Sequence, residues 1–181
     1  KLPAIPRDCN DINQWVLDSV NGSIKRLGVP KLYSLLLHRP SDLLGDSGLI
    51  LSATLQTFKD SGLVGKIGIS IYDPSELDTI IPKYKIDLVQ APFSVLDRRL
   101  KTSGWLGRLK SLGVEVHVRS IFLQGLLLMT TDKVPPKFQQ WNTLWAEWRK
   151  WLETNNISAV NACLQYAMGN KEVDRVVVGV D

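Results

Sequence analysis

Four polar side chains stand at or near the carboxyl ends of segments that are otherwise apolar and strand-like. His38 ends "LYSLLLH", Ser70 lies in "GKIGISIY", Gln90 in "IDLVQAPF" and Arg119 in "VEVHVRSIF". An imidazole, a hydroxyl, an amide and a guanidinium are groups that bind polar ligands and take part in catalysis. If the four strands are parallel, their carboxyl ends meet at one edge. We therefore expect these side chains to share one site.

The spacing of apolar residues predicts the elements that would position these groups. Helices and strands alternate along the chain, an order typical of parallel strands joined by helical crossovers. A doubly wound open sheet and a (β/α)8 barrel both have this order, but no GxGxxG fingerprint follows any strand. The predicted strands cover residues 34–38, 66–72, 86–93, 114–122 and 173–180, and the predicted helices cover 10–28, 47–62, 73–81, 98–113, 138–156 and 158–168.

The two faces of the predicted strands favour the barrel. In strand 114–122, three valines alternate with Glu115, His117 and Arg119. An open parallel sheet covered by helices on both sides has apolar residues on both faces. Interior positions near the mouth of a barrel can instead be polar. The sequence therefore predicts an α/β barrel whose mouth holds the four polar groups.

Five segments, taken in order, resemble the aldo/keto reductase family. They are "LYSLLLHRP", "GKIGISIYDPSEL", "DLVQAPFSVLDRR", "EVHVRSIFLQGLL" and "VDRVVVGV". The resemblance covers essentially the whole chain and implies a (β/α)8 TIM barrel. The barrel is expected to be incomplete, with roughly strands 3/4 to 8 in one partial domain over residues 1–181. The implied activity is NADPH-dependent reduction of an aldehyde or ketone to an alcohol, or the reverse oxidation.

The resemblance implies catalytic roles for two residues. The family uses Tyr as the general acid, Lys to lower the pKa of that Tyr, Asp to pair with the Lys, and His to orient the substrate oxygen. His38 matches the catalytic His in its "LHRP" setting. Lys1 matches the catalytic Lys, because "KL" is followed by a loop and a helix that lead to the His strand. Counterparts of the Asp and Tyr would precede Lys1, so we expect a longer chain.

The resemblance also implies a nicotinamide cofactor site, with NADPH in preference to NADH. The family binds the carboxamide with a Ser-Asn pair and a Gln; Ser70 and Gln90 match, but Ile71 replaces the Asn. Arg119 stands where the family usually has an aromatic residue that stacks on the nicotinamide. A guanidinium can stack on a ring, although its charge disfavours the oxidised, cationic ring. The loop that holds the pyrophosphate matches "SIFLQG", with the candidates Ser120, Phe122 and Gln124.

Two functions remain open at this point. One is a reductase that acts on a small carbonyl substrate. The other is a catalytically inactive relative that senses cofactor or binds a partner, as in the potassium-channel regulatory subunits that resemble this family. Ile71 and Arg119 support the second. A stripe of tryptophans could bind a partner, but we expect it to pack against the barrel: Trp141, Trp145, Trp148 and Trp151.

Composition narrows the classes of partner. The 181 residues are 44% hydrophobic and 22% charged, which is typical of globular proteins. Basic residues are scattered and the net charge is +4, so no nucleic-acid partner is expected. No apolar run reaches the ~18 residues that a membrane span needs. Cys9 and Cys163 lie far apart without metal-type spacing, so we expect reduced thiols, a cytoplasmic location and no metal site.

Overall fold

Five parallel strands form one sheet in the computed structural model, which describes residues 1–179. Their order in the sheet is their order in the chain. The strands are β1 Leu35–Leu37, β2 Ile67–Ser70, β3 Leu88–Pro92, β4 Glu115–Arg119 and β5 Arg175–Val176. The helices are α1 Ile12–Leu27, α2 Gly48–Asp60, α3 Glu76–Ile80, α4 Arg99–Thr102, α5 Trp105–Ser111, α6 Asn142–Thr154 and α7 Ala159–Met168.

The strand order identifies the sheet as a segment of a barrel. A doubly wound sheet reverses its strand order at a switch point, whereas β1 to β5 follow one another without a reversal. The segment before α1 adds to the edge of the sheet, since Leu2 forms a parallel bridge with Leu37. The predicted partial (β/α) barrel is therefore confirmed.

Local sequence explains the crossover helix α1. The Asp11 side chain accepts a hydrogen bond from the Gln14 N–H at 3.0 Å and caps the first turn. Gly28 ends the helix with φ +63°, a left-handed conformation in which a side chain would be strained. Ile12, Val16 and Val20 lie four residues apart and are buried in the same core as the strands. The apolar spacing predicts this helix over 10–28, close to its observed bounds.

Other predicted elements differ from the structure in their bounds. The helix predicted over 98–113 is two helices, α4 and α5, because Gly104 between them has φ +80°. The helix predicted over 138–156 begins with a 3₁₀ turn, Pro136–Trp141, before α6. The strand predicted over 173–180 contains only the two residues of β5, and its final position lies outside the described residues.

The apolar core is divided into two clusters. The larger one joins the strands to the helices that cover them, through residues such as Ile69, Val89, Val116, Leu51 and Leu109. The smaller one lies around Leu126, Leu127, Val134, Trp145 and Cys163. The tryptophan stripe does not pack as a whole against the barrel. Trp145 is buried in the smaller cluster, while Trp141 and Trp151 are 46% and 49% exposed, because α6 covers a 3₁₀ region rather than the sheet.

Candidate functional site

Strand register places the predicted polar residues beside one another at the carboxyl edge of the sheet. Ser70, the last residue of β2, lies opposite Gln90 of β3. Both are buried. Arg119 is the last residue of β4, and His38 directly follows β1. Four neighbouring strands thus each bring a predicted side chain to this edge.

Lys1 reaches the same edge from the segment before α1. The carbonyl of Leu2 accepts a hydrogen bond from the His38 N–H at 3.0 Å, which fixes this segment beside the end of β1. The Lys1 Nζ donates to the Ser70 Oγ at 2.8 Å. Burial lowers the pKa of Lys1 below its ordinary value, and the charge of Arg119 lowers that pKa further. The two cations therefore lie close enough to interact.

The exposed imidazole of His38 meets the ring of Tyr72 edge to face. The ring centroids are 6.2 Å apart and the ring planes are 81° apart. This arrangement suits the opposite charges of an aromatic edge and an aromatic face. His38 is thus positioned by the hydrogen bond from its backbone N–H to Leu2 and by the contact of its imidazole with the Tyr72 ring. Its side chain is accessible to a ligand.

Arg119 is held by three contacts. Its Nη2 donates to the Ile71 carbonyl at 3.1 Å, and its Nη1 donates to the Ser120 Oγ at 3.3 Å. Its guanidinium carbon lies 4.7 Å from the centroid of the Tyr72 ring.

The loop after β4 lines a cavity of about 560 Å³. Its lining includes Arg119 and also Ser120, Phe122 and Gln124, the three residues expected to hold the pyrophosphate. Three residues of this loop that are not glycine have left-handed backbone conformations: Ser120 (φ 61°), Leu123 (φ 46°) and Gln124 (φ 53°). Such conformations are costly and are concentrated at ligand-binding segments. The loop therefore has the character of a binding loop.

These features fit a nicotinamide dinucleotide in part. The cavity after β4, whose lining includes the Ser120 hydroxyl and the Gln124 amide, suits the phosphates of such a cofactor. The buried Ser70 hydroxyl and Gln90 amide are groups that can bind a carboxamide. Ile71 offers no side-chain amide, and its backbone carbonyl is already occupied by Arg119. The ring end of the site therefore lacks one polar contact and gains a charge, compared with the pattern that the resemblance implies.

Tyr72 is a residue of this site that sequence analysis did not single out. It contacts both His38 and Arg119, and its side chain is 57% exposed. The signal was present in the alternation of strand 66–72, which places Tyr72 on the same face as Ser70. An aromatic residue at a strand end, on the polar face, is a candidate for ligand contact.

His117 takes part in an ion cluster toward the amino ends of the strands. Its Nε2 lies 2.7 Å from an Oε of Glu115, which also accepts hydrogen bonds from Lys66, Tyr33 and Arg175. Burial alone would raise the pKa of Glu115, but the hydrogen bonds from Lys66, His117 and Tyr33 outweigh it and lower the pKa to about 2. This cluster stabilises the fold and lies apart from the carboxyl edge.

Across residues 1–179, no helix combines the length and the apolar character that a bilayer crossing requires. In the same residues, no three His, Cys, Asp or Glu side chains are grouped so as to hold a metal ion.

Comparison with known proteins agrees with the fold. Residues 6–181 match the model of the aldo/keto reductase family. An aldo-keto reductase from Bacillus halodurans superposes with a TM-score of 0.71 at 20% identity, over 94% of this chain and 59% of that one. A glycerol dehydrogenase from Gluconobacter oxydans superposes with a TM-score of 0.70 at 19% identity, over 92% of this chain and 55% of that one. No match to a curated protein was found.

The solved structures establish the fold of the chain, and the family model establishes its family. At about one-fifth identity, the solved structures establish the fold alone, and the chain spans a little over half of their length. The family model covers nearly every residue of the chain, including each strand of the sheet and the loop after β4. The chain belongs to the aldo/keto reductase family.

Proposed function

We propose that the chain forms part of an NADPH-dependent oxidoreductase that reduces an aldehyde or ketone to an alcohol. The carrying observation is that Lys1, His38, Ser70 and Arg119 meet at one edge of a parallel sheet in a member of this family. Barrel enzymes carry their catalytic groups at the carboxyl edge of the strands. The partner is a small carbonyl compound, and the two unpaired thiols, Cys9 and Cys163, fit the proposed cytoplasmic location.

Each residue has a distinct role in this proposal. The bound cofactor supplies the hydride. Ser70 and Gln90 bind its carboxamide, and Arg119 stacks on its nicotinamide ring. The loop after β4 binds the pyrophosphate through Ser120, Phe122 and Gln124. His38 donates a hydrogen bond to the carbonyl oxygen and orients it for attack. Lys1 keeps a positive charge at this edge, and such a charge lowers the pKa of a neighbouring proton donor.

A carbonyl-dependent assay on the full-length protein tests this proposal. The absorbance of NADPH is followed with a panel of aldehydes and ketones. We expect NADPH consumption that depends on the carbonyl compound and is faster than with NADH. In Ser70→Ala the KM for NADPH should rise, because the variant loses a carboxamide contact and the bond to Lys1. Ser111→Ala, at an exposed hydroxyl in α5, should leave the KM unchanged.

A second candidate is a cofactor-sensing or partner-binding barrel without turnover. Ile71 and Arg119 favour it, since a buried isoleucine and a fixed cation replace two groups that usually contact the nicotinamide. The same assay separates the candidates. NADPH binding without carbonyl-dependent consumption across the panel supports the sensing protein, whereas turnover with any carbonyl compound supports the reductase.

A further inference from the structure

The chain leaves the sheet after β2 at Tyr72, where a side chain takes over from the neighbouring strand as the hydrogen-bond partner. The Ile71 N–H still donates to the Gln90 carbonyl of β3, at 2.9 Å. The next two N–H groups, those of Tyr72 and Asp73, donate to one carboxylate oxygen of Glu76, at 2.7 and 2.9 Å. Hydrogen bonds to a charged acceptor are stronger than those to a neutral one. Glu76 therefore fixes the direction of the backbone where it leaves the sheet.

The backbone that Glu76 fixes also carries two groups that contact Arg119. The Ile71 carbonyl accepts a hydrogen bond from the Arg119 Nη2 at 3.1 Å, and the centroid of the Tyr72 ring lies 4.7 Å from the guanidinium carbon. The Ile71 carbonyl and the Tyr72 N–H belong to one planar unit, the Ile71–Tyr72 peptide group. Glu76 thus holds this peptide group at its N–H, and the same group holds Arg119 at its carbonyl.

A second contact holds the same segment less firmly. Asp73 forms an ion pair with Arg99 of α4 at 2.8 Å, and the two side chains are 50% and 54% exposed. Ion pairs at such exposed positions contribute little to stability. The Arg99 Nη2 also approaches the Tyr72 carbonyl, but at 3.4 Å, a long distance for a hydrogen bond. Glu76 is therefore the side chain that mainly orients the Ile71–Tyr72 peptide group.

We propose that Glu76 is a positioning residue, which holds the Ile71–Tyr72 peptide group so that Arg119 is oriented to stack on the nicotinamide ring. The inference rests on the proposed function, in which Arg119 contacts that ring. Loss of the Glu76 side chain should weaken NADPH binding, because Arg119 is then less well oriented. Loss of its negative charge alone would instead strengthen the binding of an anionic cofactor. The two effects have opposite signs and can be told apart.

The Kd of NADPH, measured by quenching of protein fluorescence in the full-length protein, gives the test. Glu76→Ala should raise the Kd by about three- to tenfold, because the peptide group loses its acceptor. Glu76→Gln should stay within about twofold of wild type, because its amide oxygen can still accept both hydrogen bonds. Thr79→Ala, at an exposed position of the same helix α3, should match wild type.

A double-mutant cycle with Arg119 separates positioning from a general effect on stability. In Arg119→Met the stacking group is already absent, so the addition of Glu76→Ala should change the Kd by less than about twofold. Equal weakening by Glu76→Ala in the wild type and in Arg119→Met would mean that Glu76 does not act through Arg119, and would overturn the inference. If the unfolding midpoint shows that Glu76→Ala does not fold, Glu76→Asp takes its place, because it keeps the charge but shortens the side chain.

The remaining outcomes separate this inference from the proposed function. An unchanged Kd in Glu76→Ala, or a Kd in Glu76→Gln as high as in Glu76→Ala, overturns the inference alone. An Arg119→Met variant that binds NADPH like wild type also overturns it, since Arg119 would then not contribute to binding. Failure of the folded wild type to bind NADPH at millimolar concentration overturns the proposed function, and the inference with it.

Discussion

His38 is the residue on which the proposed reaction depends most directly. Its backbone is fixed to Leu2 and its exposed ring leans on Tyr72, so the imidazole is not part of the core. We predict that His38→Ala lowers kcat by about 10²–10³-fold, because a donor aimed at the reacting oxygen is lost. The Kd of NADPH and the unfolding midpoint should stay near wild type. Lys31→Ala, exposed before β1, is the control; a kcat within twofold of wild type in His38→Ala would remove His38 from the mechanism.

Tyr72 acts through the face of its ring, which supports the Arg119 guanidinium. A cation–π contact of this kind contributes about 0.5–2 kcal/mol. We predict that Tyr72→Leu weakens NADPH binding by about three- to tenfold, because Arg119 loses its support. Tyr72→Phe keeps the ring and should bind like wild type. Equal weakening in both variants would mean that the phenol hydroxyl, not the ring, is the group that matters.

The low pKa of Glu115 makes stability depend on pH. The pKa is about 2 in the folded protein, against an ordinary value of 4.5. A lowered folded pKa stabilises the fold above the unfolded pKa, and this stabilisation is lost as pH falls from about 4.5 toward 2. We predict that the urea midpoint of the wild type falls more steeply between about pH 6 and about pH 3 than that of Glu115→Gln. Glu153→Gln, exposed on α6, should keep the wild-type slope.

At the residue scale, the strand pattern predicted where a residue lies in the sheet, but it could not predict contacts between distant segments. The alternation in β2 and β4 placed Ser70 and Arg119 at the carboxyl edge. The pairing of Glu115 with Tyr33 and Lys66 spans 82 and 49 positions, and no local pattern reveals it. Tyr72 was missed because its importance comes from side chains on two other strands.

At the scale of elements, Gly104 decides where one predicted helix becomes two. Its φ of +80° lies in the left-handed region, and a Cβ there would meet nothing within 4 Å. Gly104→Ala should therefore cost only the conformational penalty, about 1 kcal/mol of unfolding free energy. Gly107, inside α5, also has open space around a Cβ but no positive φ. Gly107→Ala should stabilise by about 0.5–1 kcal/mol, because alanine favours helix. Denaturant unfolding measures the unfolding free energy of both variants. A change of the same sign in both variants would contradict these two predictions.

Element prediction was accurate for amphipathic stretches with a cap at each end. Helix α1 has the Asp11 cap, a regular apolar face and Gly28, so its bounds were predicted closely. The interruption at Gly104 was not predicted, because the apolar spacing continues across it. The role of α6 was also missed, since Trp145, Trp148 and Trp151 resemble a core stripe although only Trp145 among these three is buried.

At the scale of the whole molecule, the strand order without a reversal is the main evidence for the partial barrel. Alternating helices and strands left two architectures open, and the polar faces of the strands favoured the barrel. The sheet order β1 to β5 and the family match agree with that choice. Because the five strands are parallel, their carboxyl ends lie at the same edge, which brings the candidate residues together.

Titration of the full-length protein with NADPH, followed by tryptophan fluorescence, tests the central claim most directly. The account predicts saturable quenching at micromolar NADPH, with weaker binding of NADH. A Ser70→Ala variant should bind NADPH more weakly, and Ser111→Ala should match wild type. No binding at millimolar NADPH in a folded protein would contradict the account, because the cavity after β4 and the cations at the carboxyl edge would then serve some other ligand.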